Sequence, residues 1–246
     1  PTLVTDAVDQ LLLGKWVINK LAYEFGLDVT FSPKITVGKA GSGMHIHTCI
    51  MKDGKNQYIE NGKLSDTAKK AIAGFMTLAT SLTAFGNTNP TSYFRLVPHQ
   101  EAPTTVCWGD RNRSALVRVP LGWNSDSDMC AIANPNEEII NEDFSGKQTI
   151  EFRAPDGSAN LYLLLAGLVT AARYGFEMLN SLEIADNTYI DGDINHVNNE
   201  DKANELEHLP TSCHESAEQL ELKKKVYMHH GVFSAGMING IVKELY

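Results

Sequence analysis

Apolar residues fall at helical spacing in Leu12, Val17, Ile18 and Leu21, and the pattern predicts an amphipathic helix over 6–25. Strand-like segments follow at 28–37 and 44–51. Asp53-Gly54 marks a turn toward 57–59, which predicts a hairpin. Ser65 or Asp66 supplies an N-cap, after which Ala68, Ile72, Phe75, Met76, Ala79 and Leu82 keep a helical period as far as Gly86. The polar, proline-bearing stretch 87–92 reads as a loop that delivers the chain into a strand at 93–98. Further strands are expected over 114–120 and 148–153, separated by an Asn-, Asp- and Glu-rich loop or short helix at 124–147. The segment 159–182 is apolar over most of its circumference, so it predicts a largely buried helix. A polar surface loop at 186–201 and helices at 215–227 and 235–246 complete the order. Helix and strand signals intermix without repeat, linker or low-complexity tract, so the expectation is one α+β domain.

Within the strand at 44–51, Gly41-Ser-Gly-Met-His-Ile-His47 places two imidazoles two residues apart. Successive strand side chains point to opposite faces, so His45 and His47 share one face, either as two ligands of one site or as a hydrogen-bonded pair at a strand end. Glu151 and Arg153 share a face in the same way, as part of a site or as a simple ion pair. Between residues 95 and 118 stand Arg95, Arg111, Arg113 and Arg118, beside prolines and apolar residues. A planar guanidinium fork suits carboxylate or phosphate, although ordinary ion pairs with Glu101 and Asp110 are the plainer alternative. Arg113 and Arg118 are five apart, so they face opposite ways in a regular strand, and Arg113 is better placed in the preceding loop. Together the imidazoles, Glu151 and the arginines suggest a divalent ion with phosphates completing its shell, and hence phosphoryl chemistry.

Composition narrows the alternatives. The chain has 246 residues, 43% of them hydrophobic, which suffices for a substantial core. A net charge of -9 without a long basic tract argues against nonspecific binding of nucleic acid. The longest apolar run, 161–172, is too short to span a bilayer, so no membrane partner is expected. Cys49, Cys107, Cys130 and Cys213 are scattered and read as free thiols of a reducing cytoplasm. The chain opens on Pro1 and runs at once into its first helix, which suggests a fragment of a longer protein.

GSGMHIH, RLVPHQEAP, NRSALVRVP and IEFRAPDGSAN, in this order and spacing, resemble the catalytic domain of glutamine synthetase, bacterial type, over about residues 1–240. The resemblance implies ATP-dependent ligation of ammonia to glutamate through a γ-glutamyl phosphate, on part of the family's catalytic barrel, with mainly antiparallel strands backed by helices. It implies that His45 and Glu151 are ligands of Mg²⁺ or Mn²⁺ and that His47 neighbours the nucleotide phosphates. Gly41, Arg95 and Arg153 would hold glutamate. Glu101 would be the flap carboxylate that takes a proton from ammonium, and Arg113 and Arg118 would stabilise the phosphoryl group in transit beside the nucleotide. The expectation is a partial catalytic domain over 1–246, lacking the amino-terminal domain and first catalytic strands with the remaining metal-binding glutamates. Such a fragment would be inactive alone, whereas the parent enzyme would assemble into homo-oligomeric rings.

Some positions depart from the family's pattern. Ala40 stands where Asn is usual, Cys49 where Ser is common and Thr149 where a basic residue often precedes the strand. Leu206-Glu-His-Leu-Pro210 replaces the motif that carries an adenylylated tyrosine, so no such modification is expected at Glu207. Two rivals remain: a ligase on the same scaffold that uses a larger amine, and a non-catalytic relative. The second conflicts with the retention of Arg95, Glu101, Arg113, Arg118, Glu151 and Arg153.

Overall fold

The computed structural model describes residues 2–98, 100, 102–120, 133, 134, 136, 145–194, 196 and 199–246. Helix α1, Val4–Glu24, leads into a strandless stretch with bends and a turn, then β1, Ile46–Thr48, and two short hairpins: β2, Met51–Lys52, with β3, Lys55–Asn56, and β4, Ile59–Glu60, with β5, Lys63–Leu64. Helices α2, Asp66–Gly86, and α3, Pro90–Arg95, precede strands β6, Trp108–Asp110, and β7, Val117–Val119. A 3-10 turn at Ser145–Lys147 enters β8, Ile150–Phe152. The remaining helices are α4, Leu161–Glu177; α5, Ser181–Asn187; α6, Glu200–Glu205; α7, Cys213–Met228; and α8, Ala235–Leu245.

The Ser65 hydroxyl accepts the Ala68 amide at 3.2 Å, satisfying one orphan donor at the start of α2. Every residue from Leu78 to Gly86 is buried, so α2 forms the central rod against which α4, α5 and α7 pack. Glycines set how closely α4 approaches. A Cβ at Gly74 would lie 1.9 Å from the Ala171 carbonyl oxygen, and one at Gly175 would lie 1.9 Å from that of Lys70. The backbones therefore meet where neither helix carries a side chain. Phe75 faces Phe152 of β8 at 5.8 Å between ring centroids, which ties the helical layer to the sheet. At the other end, Phe85 stacks on Phe233 at 5.3 Å and meets Tyr227 edge-on.

The main sheet has the order β1-β8-β7-β6. β8 pairs antiparallel with both neighbours, whereas β6 and β7 are parallel. The register sets His47 and Arg118 on either side of Glu151, so the central strand presents its carboxylate between an imidazole and a guanidinium.

Several expectations need correction. No strand forms over 28–37; instead Lys34 is buried and donates from Nζ to the Lys39 carbonyl and the Gln100 side-chain oxygen. The segment 93–98 begins as the end of α3, because Asn89 caps the Thr91 amide and Pro90 occupies the first turn. The expected helix over 159–182 breaks at Met178, whose extended backbone separates α4 from α5. Strand β6 and helix α6 lie in stretches where neither was expected. The 124–147 expectation falls largely outside the described residues.

Candidate functional site

Glu151 sits at the centre of β8 and is 2% exposed. Its Oε1 accepts from Arg153 Nη1 at 2.6 Å and lies 2.8 Å from His45 Nδ1. Its Oε2 accepts from Arg118 Nη1 at 2.8 Å, and His47 Nε2 stands 4.0 Å away. The shared-face expectations for 45 with 47 and for 151 with 153 are therefore met around one carboxylate. Burial alone would raise the Glu151 carboxyl, but hydrogen bonds from His45 and Arg118 and the charge of Arg153 outweigh it and bring the pKa down to about 2. Burial lowers the pKa of His47; Glu151 opposes that shift, while His45, Arg118 and Arg153 add to it. The other ring nitrogen of His47 pairs with the Thr149 hydroxyl at 3.0 Å.

Arg118 and Arg153 each keep one buried Nε without a hydrogen-bond partner among the described residues. Each guanidinium therefore keeps an unsatisfied donor, shielded from solvent, beside the carboxylate it pairs with. For a cation the fit is poor. The described residues offer one carboxylate, both of whose oxygens are engaged, and two imidazoles, whereas a hard divalent ion takes about six oxygens. A metal ion there requires further oxygen ligands.

Arg95 lies behind this cluster, 3% exposed. Its Nη1 donates to the Ala154 and Pro155 carbonyls at 2.7 and 3.3 Å, and its Nη2 donates to the Arg153 carbonyl at 3.1 Å. Burial lowers its pKa to about 10. Arg95 thus props the backbone that carries Arg153. Gly41 and Gly43 allow this arrangement: a Cβ at Gly41 would lie 2.5 Å from the Pro33 carbonyl oxygen, and one at Gly43 would lie 2.3 Å from Arg95 Nη2. Arg113 is exposed in the loop before β7, as expected. Glu101 lies outside the described residues.

Asn87 and Asp156 escaped the sequence reading. Asn87 Nδ2 donates to the Ala154 carbonyl at 2.9 Å and to Asp156 Oδ2 at 2.8 Å, and both residues are fully buried. The signal was present in Asp156 within the apolar IEFRAPDG run. Cys49, Cys107 and Cys213 are free thiols, as expected, and Cys130 lies outside the described residues. No helix among the described residues is long and apolar enough to cross a membrane.

The chain is thus a mixed α/β domain whose sheet gathers two imidazoles and two arginines around one buried carboxylate. The family model for the glutamine synthetase catalytic domain matches residues 2–243, and the chain belongs to that family. It is 36% identical over 235 residues to a glutamine synthetase of Streptomyces filamentosus, covering 94% of this chain and 45% of that protein. It is also 36% identical over 238 residues to the glutamine synthetase of Pyrococcus furiosus, covering 96% and 48%. The chain thus spans about half the length of these relatives. In fold it is similar to glutamine synthetase of Plasmodium falciparum, with a TM-score of 0.74 at 23% identity over 98% of this chain and 50% of that one. It is likewise similar to a ligand-free GmaS structure, with a TM-score of 0.73 at 26% identity, covering 98% and 48%.

Proposed function

We propose that this domain serves a glutamate-ammonia ligase. A γ-carboxylate oxygen of glutamate attacks the terminal phosphorus of ATP, and the bond to the bridging oxygen breaks to release ADP. Ammonia then attacks the γ-carbonyl carbon of the γ-glutamyl phosphate, the bond to the phosphate oxygen breaks, and glutamine and phosphate leave. The observation that supports this most is the convergence of His45, His47, Arg118 and Arg153 on Glu151, where two guanidinium charges meet a single carboxylate.

In this reading Arg113 and Arg118 stabilise the phosphoryl group in transit, because the reaction needs positive charge aimed at the equatorial oxygens. Arg153 and Arg95 orient glutamate, Arg153 directly and Arg95 through the backbone it holds, with Gly41 keeping that packing open. His47 borders the nucleotide phosphates, and Glu101 takes the proton from ammonium. With further oxygen ligands supplied, His45 and Glu151 would help to hold Mg²⁺ or Mn²⁺, which would neutralise phosphate charge. Residues 1–246 form part of the catalytic domain on the family's barrel. Ring assembly of like subunits in the cytoplasm belongs to the same proposal.

The test is product analysis with ATP, glutamate, Mn²⁺ and either ammonium or a larger amine. A polypeptide of the relatives' full length that contains this sequence is expected to form glutamine from ammonium, and the 246-residue chain alone none. Preference for the larger amine would move the assignment to a related ligase, and turnover by the chain alone would show that the added metal ligands are dispensable.

A further inference from the structure

The end of α7 carries two adjacent histidines, His229 as its C-cap residue and His230 immediately after. Glu177, the last residue of α4, reaches them across the gap between the helices, with its Oε1 2.7 Å from His230 Nε2. The two imidazole centroids are 4.3 Å apart, and one donor atom from each of the three residues lies within 4.8 Å of the other two. They border a 240 Å³ pocket that Tyr174 and Val226 also line.

We propose that Glu177, His229 and His230 form a binding site for a divalent transition metal of the zinc class, with water completing the coordination. Two imidazoles and one carboxylate suit Zn²⁺, whereas Mg²⁺ and Ca²⁺ require more oxygen ligands than one carboxylate supplies. Donors around a single Zn²⁺ at bond lengths of about 2.0–2.2 Å sit closer together than 4.8 Å, and rotation of these exposed side chains closes the difference. Two cations compete with the metal. Arg173 Nε holds the same Glu177 oxygen at 3.0 Å, and Lys225 lines the pocket. The Arg173 pair is an exposed one between residues four apart on a helix, a type that contributes little, so it yields to a bound dication. The site is separate in sequence from the Glu151 cluster and does not rest on the proposed ligase reaction.

Zinc titration of the metal-stripped chain by calorimetry, with side-chain ¹⁵N–¹H correlation spectra of histidine, tests this. The first equivalent should shift the imidazole signals of His229 and His230, and H229A, H230A and E177Q should each weaken that binding about tenfold or more. H208A, whose imidazole lies beside Thr105, should leave it unchanged. The same spectra report whether each variant remains folded. Absence of zinc binding by the parent chain, or equal affinity in H230A and E177Q, would overturn the site.

Discussion

Glu151 concentrates the electrostatics of the domain in one side chain. Its pKa of about 2 lies below the usual 4.5, so the stability its ionisation contributes is complete above pH 4.5 and disappears as the pH falls through 2. The contribution is about 3 kcal/mol at the upper end of that window. Denaturant midpoints should fall steeply for the native chain between pH 4.5 and 2 and less so for E151Q; equal slopes would contradict this. At neutral pH the same substitution leaves Arg118 and Arg153 without their anion and should cost about 3–5 kcal/mol. His47 should titrate below 6.5 in imidazole NMR spectra, because burial disfavours its cation more than Glu151 favours it; a midpoint above 6.5 would contradict that balance. Arg113 differs from both because it is exposed on a loop. In a polypeptide of the relatives' full length, R113A should lower turnover about a hundredfold while sparing glutamate binding. The reverse pattern would reassign Arg113 to substrate holding.

Among the elements, the contact between α2 and α4 is the most sensitive to a single atom. G74A places a methyl 1.9 Å from the Ala171 carbonyl oxygen, where backbone must move, and should destabilise the chain by at least about 2 kcal/mol in urea unfolding. G14A, with open space around its Cβ on the exposed α1, should not, and similar effects of the two would disprove a close helix crossing. Elements with their own local signals were legible in the sequence: Ser65 fixed the start of α2, and the apolar period ran to Gly86 as expected. Strand β8 and its shared face were legible because Ile150 and Phe152 alternate with Glu151 and Arg153. The segment 28–37 misled because its apolar alternation has no strand beside it, and Ile35 and Val37 remain exposed. For α3, Tyr93 and Phe94 suggested β structure, but the cap at Asn89 decided the local conformation. The inward turn of Arg95 onto three carbonyls was not legible at all. It depends on Gly41 and Gly43 packing against Arg95, contacts more than fifty residues apart in sequence.

On the scale of the whole molecule, helix α1 has only Val8 and Ala22 buried, while Leu13, Trp16 and Phe25 beside it are 60%, 63% and 77% exposed. So much apolar surface on one helix and its exit favours association. Sedimentation velocity should show the 246-residue chain as a monomer that forms irregular small oligomers with rising concentration, and L13E/W16E should suppress them. A single well-defined ring would contradict this expectation. Isotope transfer probes the proposed ligase reaction. A polypeptide of the relatives' full length that contains this sequence is given ATP, ammonium, Mn²⁺ and glutamate labelled with ¹⁸O in its γ-carboxylate. One ¹⁸O is expected in the released inorganic phosphate for each glutamine formed, because the carboxylate oxygen becomes the bridging oxygen of the acyl phosphate. Glutamine formation with unlabelled phosphate would contradict it.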